Sequence, residues 1–183
     1  MELKSSSQIQ IVLPDKCQSE IIDHCRRKLA GQYLKGEAQD LKAFGLIAGT
    51  RSENTITVKR CMPLLKNARS IDPYKGHMDR VMTKHAIPSE TPLHKRGWVA
   101  DPEELTEKVS ECHAAKITLL GTYHMHRVGW QHDKIRDTPT KLDTILGHDS
   151  RMIMFIVSMV EPDKPIIRAF FEGICEQEIV IIP

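Results

Sequence analysis

The apolar positions of this chain fall into short runs, and their period changes from one run to the next. PDKCQSEIIDHCRRKLAGQ (14–32) repeats at helical spacing. Ile22, Cys25 and Leu29 share one face, Asp15 is the expected N-cap with Gln18 three residues on, and Gly31 is the expected stop. AFGLIAG (43–49) is a continuous apolar run ended by Gly, which predicts a buried strand. TITVKRC (55–61) alternates and predicts a half-buried partner strand, with Glu53 and Asn54 as turn material between them.

Residues 63–100 hold no period for long and are rich in Lys, Arg, His, Pro and Ser. They read as an irregular basic insertion, with DRVMTKHA as two turns of helix at most. A clear helix follows: Asp101 is the N-cap, Pro102 takes the first helical position, and Glu103 and Glu104 suit the positive end of the dipole. Leu105, Val109 and Cys112 form its apolar stripe. ITLLGTYH (117–124), MIMFIVSMV (152–160), PIIRAFF and EIVII predict the remaining strands. Helices interleaved with strands predict an α/β protein with one central sheet covered on both sides, and the strand-turn-strand segments make that sheet mixed.

Composition narrows the class. With 183 residues, the chain suits one domain spanning 1–183. Its 40% apolar and 27% charged residues are those of a globular protein. A formal charge of +2 gives no reason to expect nucleic acid as a partner, and no apolar run reaches membrane-spanning length. MELKSSSQIQ lacks the apolar core of a signal peptide, and five scattered cysteines suit reduced thiols, so the expected compartment is the cytoplasm.

GTYHMHRVGW (121–130) carries the candidate chemistry. On a strand, residues two apart face the same way, so His124 and His126 can converge on one point, as zinc ligands must. Alone, the pair reads equally as two polar residues at a solvated strand end. A third ligand changes that, and two aspartates are available: Asp137 after ten intervening residues and Asp143 after sixteen. Thr140 can cap a short helix whose first turn holds Asp143, and a ligand on a capped helix is held better than one in a loop. His132 and Asp133 are remote candidates from the intervening loop. Val128 and Trp130 there could cover the site or meet a partner. Cys17, His24 and Cys25 offer too few convergent ligands for a second metal, Cys112 and His113 read as a core thiol beside an exposed His, and His77, His85 and His94 read as solvated.

LLGTYHMH followed by PTKLD resembles the H-x-H…Pro-Ser-x-x-Asp motif of the JAMM (MPN, Mov34/PAD-1) metallopeptidase family. AFGLIAG resembles that family's first core strand, MPLLKNAR the Pro-Leu-x-Asn strand end of its bacterial members, ADPEELTEKVSE the helix before the H-x-H strand, and MFIVSMVEPDKPIIRAF the closing hairpin. The resemblance spans about residues 18 to 171. It implies a mixed, curved β-sheet flanked by helices, as in cytidine-deaminase-like folds. It also implies Zn²⁺ held by His124, His126 and Asp143, counting back from Ile156-Val157-Ser158, with Asp137 as the fallback because ten residues is the family's usual gap. The implied activity is that of a metallopeptidase or isopeptidase. It would act near the C-terminus of ubiquitin-like or sulfur-carrier proteins, the tail lying along a strand edge as an added strand.

The chain also departs from that pattern. The family's general base is a Glu three residues before the first strand's Gly; that Gly is Gly45, and position 42 is Lys. An ammonium cannot accept a proton. Asp40, two residues earlier, or Glu37 could act as a surrogate base. Thr140 stands where the family uses Ser to support the oxyanion, and a Thr hydroxyl can still donate. Arg127 replaces the Pro after the second His. Lys42 also motivates a second expectation, a catalytically inactive MPN-type module that binds a protein partner.

Overall fold

The computed structural model of the protein describes residues 9–89 and 91–183. Its sheet begins with a strand too short to read from the sequence, β1 (Gln10–Val12). β1 runs parallel to β3 (Thr55–Pro63) on one side and parallel to β7 (Glu178–Ile182) on the other. With β2 (Phe44–Arg51), β4 (Thr118–His126), β5 (Ile153–Ser158) and β6 (Ile166–Phe171), the strands close in the order β1-β3-β2-β4-β5-β6-β7. The expected curved sheet flanked by helices is therefore corrected to a closed seven-stranded barrel. Three residues suffice because the backbone N–H and C=O groups of both edges would otherwise lack partners, and one inserted strand serves both. The mixed character holds: β4–β5 is parallel like the β1 pairs, and the other ladders are antiparallel.

β2 explains its own unbroken apolar run. Ile47 points into a cluster with Ile11, Ile21, Val58, Tyr123 and Phe155. Leu46 and Ala48 point the other way, toward Met62, Leu64 and Cys112. A strand buried on both faces needs apolar side chains at every position. Gly45 meets a stricter demand, since a Cβ there would lie 2.2 Å from the ring of the fully buried Tyr123.

The first cluster is capped by α1 (Asp15–Leu29), which buries Cys17, Ile21, His24, Cys25 and Lys28. The buried stripe is thus turned one residue from the expected one, with Ile21 in the core and Ile22 half-buried. Asp15 lies inside the first turn, and Pro14 is the N-cap with no side-chain bond. Gly31 ends the segment with φ +67°, as a helix stop requires. α3 (Pro102–Ala114) starts as expected, the Asp101 carboxylate accepting from the Glu104 N–H at 3.0 Å. Glu104 itself turns inward and accepts from the Leu65 and Lys66 N–H groups.

Residues 63–100 are more ordered than their composition suggests. They contain α2 (Tyr74–His85), three turns where two were expected, and short 3₁₀ segments at Ala68–Ser70 and Leu93–Lys95. The buried Arg69 holds this region together through Asp79 (2.5 Å) and the carbonyls of Arg96 (2.9 Å) and Leu93 (3.2 Å). No helix among the described residues is long and apolar enough to cross a membrane.

A buried polar cluster ties α1 to the segment before β2. Arg27 grips the Glu37 carboxylate with two N–H groups, and the Leu34 N–H adds a third bond at 2.8 Å. His24 Nδ1 meets the Tyr123 hydroxyl at 2.7 Å. Burial, reinforced by the Arg27 cation, pushes the His24 imidazole down to about 4. In the unfolded chain it titrates near its ordinary value of about 6.5. Its contribution to stability is therefore complete above about pH 6.5 and is lost as pH falls toward 4, by roughly 3 kcal/mol. The melting temperature of the wild type is expected to fall more steeply between about pH 7 and 4.5 than that of His24→Gln, measured by circular dichroism. Parallel curves would show that His24 titrates alike in both states.

Candidate metal centre

β4 lies between β2 and β5, and this position sets the site. Phe44 pairs with His124 across the antiparallel ladder, and His126 pairs with Ser158 across the parallel one. Both histidines project to the face opposite the buried Tyr123, as strand alternation requires. A parallel pair needs a crossover, and here it runs from residue 127 through α4 (Lys141–Gly147) and back over that face. α4 begins with a capping box. The Thr140 N–H donates to Asp143 Oδ2 at 2.7 Å, and the Asp143 N–H donates to Thr140 Oγ1 at 3.4 Å.

The crossover brings Asp143 to the histidines. Nε2 of His124 lies 3.1 Å from Nε2 of His126 and 3.4 Å from Asp143 Oδ1, and Nε2 of His126 lies 3.9 Å from Asp143 Oδ2. Ligands on zinc at about 2.0–2.1 Å in a tetrahedron stand about 3.3 Å apart; the two His124 separations are close to this and the His126–Asp143 one is longer. The rest of the geometry prepares the donors. His126 Nδ1 contacts the Arg136 carbonyl at 2.8 Å, an acceptor that places the proton on Nδ1 and leaves the Nε2 lone pair facing the cluster. Arg136 is positioned by the Ser158 hydroxyl, which donates to the adjacent Ile135 carbonyl. The His124 ring lies nearly parallel to Phe44, with centroids 6.3 Å apart.

The electrostatics favour the same protonation states. Burial lowers both imidazoles below their ordinary value, so they are neutral and able to ligate near neutral pH. For Asp143 burial acts against ionisation, but the two histidines and the Thr140 bonds outweigh it and hold the carboxyl below its usual range. Two neutral imidazole nitrogens and a carboxylate oxygen fit a three-ligand zinc site that keeps a fourth position open.

Asp137 is not part of this cluster; it pairs with Arg168 at 3.1 Å on the barrel wall. His132 packs against Trp130, and Asp133 accepts from the Arg136 N–H, so neither joins the trio. Lys42 does stand at the site, lining the same cavity as His124, His126 and Asp143, with Asp40 3.5 Å from its ammonium. The two surrogate bases do not. Glu37 is buried under α1 with Arg27, and Asp40 faces Lys28 (3.3 Å) and Asn67 (3.1 Å). Neither lines the cavity: Glu37 is held by Arg27, and Asp40 stands between Lys28 of α1 and the cavity-lining Lys42. The Thr140 hydroxyl donates to Asp143 Oδ2 at 2.7 Å. Cys17 approaches Glu20 and Cys61 rather than His24 and Cys25.

The cavity measures about 1020 Å³, and its walls come from the histidine strand, the crossover and the 73–99 segment. The Arg136 carbonyl, Ser158 and Phe44 are neighbours of the trio that the sequence did not reveal. The only hint was polar Ser158 ending an apolar strand.

No protein-family model and no curated protein matches the chain. Solved structures do resemble it. The solution structure of protein DSY2949 from Desulfitobacterium hafniense superposes with a TM-score of 0.62 at 23% identity, covering 94% of this chain and 92% of the other. A solution structure from Salinibacter ruber gives 0.53 at 12% identity, covering 95% and 92%. At these identities the likeness is one of fold.

Thr140→Ala removes the cap and both of its side-chain bonds. It is expected to cost about 1 kcal/mol in urea denaturation, with Thr140→Ser close to wild type. Equal stability of Thr140→Ala and wild type would show that α4 does not depend on the box.

Proposed function

We propose that the protein is a zinc-dependent metallopeptidase or isopeptidase of JAMM/MPN type. Its substrate would be the C-terminal region of a ubiquitin-like or sulfur-carrier protein. The observation that carries this reading is the convergence of His124 and His126 from β4 with Asp143 from α4, beside a large cavity. Bound zinc would supply Lewis-acid activation of a water and of the scissile carbonyl. The chain's own residues do the remainder. The Arg136 carbonyl orients His126, Thr140 orients Asp143, and Lys42 and Phe44 form the wall beside His124. The substrate tail lies within the cavity, where the trio stands, rather than along a strand edge.

A second reading is favoured by a specific observation. The only carboxylates lining the cavity among the described residues are Asp143 and Glu172, and Glu172 accepts from the Arg151 N–H at 2.7 Å. With Lys42 at the family's Glu position, no carboxylate stands there to take the proton. A protein-binding module that keeps its metal would have this arrangement.

Elemental analysis is expected to find one zinc per chain in the wild type and in Asp137→Ala, and none in Asp143→Ala. A wild type that takes up no zinc when it is supplied would overturn the metallopeptidase reading. Lys42→Glu restores a carboxylate beside the trio and is expected to raise cleavage of a C-terminally extended ubiquitin-like substrate by about a hundredfold. If the wild type and Lys42→Glu both bind zinc and neither cleaves, the binding module is the correct reading.

A further inference from the structure

The cavity beside the trio is charged far out of proportion to the chain. The formal charge of the whole protein is +2, yet Lys42, Arg80, Lys95, Arg96, Arg127 and Arg136 all line this one space. Against them stand Asp143, committed to the histidines, and Glu172, committed to a backbone N–H. Lys42 has Asp40 beside it. Among the described residues, no carboxylate lies within ion-pair distance of Arg80, Lys95, Arg96, Arg127 or Arg136.

Arg136 is the most informative of these cations. Its guanidinium lies over the Trp130 ring, 3.6 Å from the centroid, and donates to the Val128 carbonyl at 3.2 Å. Its Nε is buried without a partner. Arg96 is likewise half-buried, and burial lowers its basicity with no opposing carboxylate. Asp143 and Asp133 offset part of the burial cost for Arg136, whereas Arg96 has no such offset, and an anion entering the cavity would compensate both further. Phe44, Trp98, Met78 and Leu142 supply apolar wall between the cations. Such a mixture suits a peptide with both apolar and acidic side chains better than a phosphate backbone, which needs a broad basic face.

We propose that this cavity recognises an acidic peptide segment, its carboxylates set against Arg80, Lys95 and Arg96 on one wall and Arg127 and Arg136 on the other, with its backbone passing the His124–His126–Asp143 trio. This rests on the metallopeptidase reading for its site and names the charge of the substrate tail. About 1020 Å³ lies at the upper end of the range for small-molecule sites and accommodates several extended residues.

The test is fluorescence anisotropy on the full chain, metal-free and zinc-loaded, with three probes. These are a labelled peptide rich in Asp and Glu, the same peptide with Asn and Gln, and a single-stranded oligonucleotide of similar charge. The acidic peptide is expected to bind about tenfold or more tightly than its neutral counterpart, with affinity falling steeply as salt rises. Arg80→Gln combined with Arg96→Gln is expected to lower that affinity several-fold, while circular dichroism and zinc content stay as in the wild type. Equal binding of the two peptides, no effect of the double substitution, or tighter binding of the oligonucleotide would each overturn the proposal. Charge selectivity in a protein that never takes up zinc would leave this inference standing and remove the metal reading. Zinc uptake without charge selectivity would do the reverse.

Discussion

The parallel pairing of β4 with β5 is the constraint from which the site follows. Two parallel strands cannot be joined by a tight turn, so the chain must leave the sheet and cross one face before returning. Here the face it crosses carries His124 and His126, and α4 in the crossover carries Asp143. The same connection passes Arg136 beneath His126 and is fastened by Ser158, the residue paired with His126 across the ladder. Strand register, loop anchoring and imidazole orientation are thus one arrangement. A slip of one residue in β4 would turn both histidines toward the barrel core.

Electrostatics divide the molecule in two. On the α1 side, acids and bases are matched: Glu37 meets Arg27, and Asp40 meets Lys28. That matching fixes the segment leading into β2, and Asp40 is shared with Lys42 at the cavity wall. On the cavity side the matching fails, and cations gather with few acids among them. A protein that compensates charge on one side and leaves it uncompensated on the other has placed its free electrostatic energy where a ligand can use it. The His124–His126–Asp143 trio and the basic wall share one space.

Most elements were legible in the sequence because their signals are local. Asp101-Pro102 marks the start of α3, Gly31 ends α1, and the apolar run of β2 reports burial on both faces. The face of α1 was read one residue off, because Ile21 and Ile22 are equally apolar and only packing against the barrel selects Ile21. The order within 63–100 was missed for a related reason. It depends on Arg69 reaching Asp79 and two carbonyls, and a buried Arg looks like a solvated one in sequence.

What the sequence determined by itself was the local presentation of the candidate side chains, since alternation places His124 with His126 and a capping box holds Asp143 at the start of α4. Tertiary structure decided the rest. It closed the sheet into a barrel through β1, whose three residues carry no pattern of their own and gain their order from two neighbours at once. It set Asp137 against Arg168, Glu37 against Arg27, and Asp40 between Lys28 and Lys42. It gathered cations from separate segments around one cavity. The physical reason is common to all of these. Hydrophobic period and capping act between near neighbours in the chain, whereas strand closure and charge pairing depend on which distant residues the fold brings within a few ångströms.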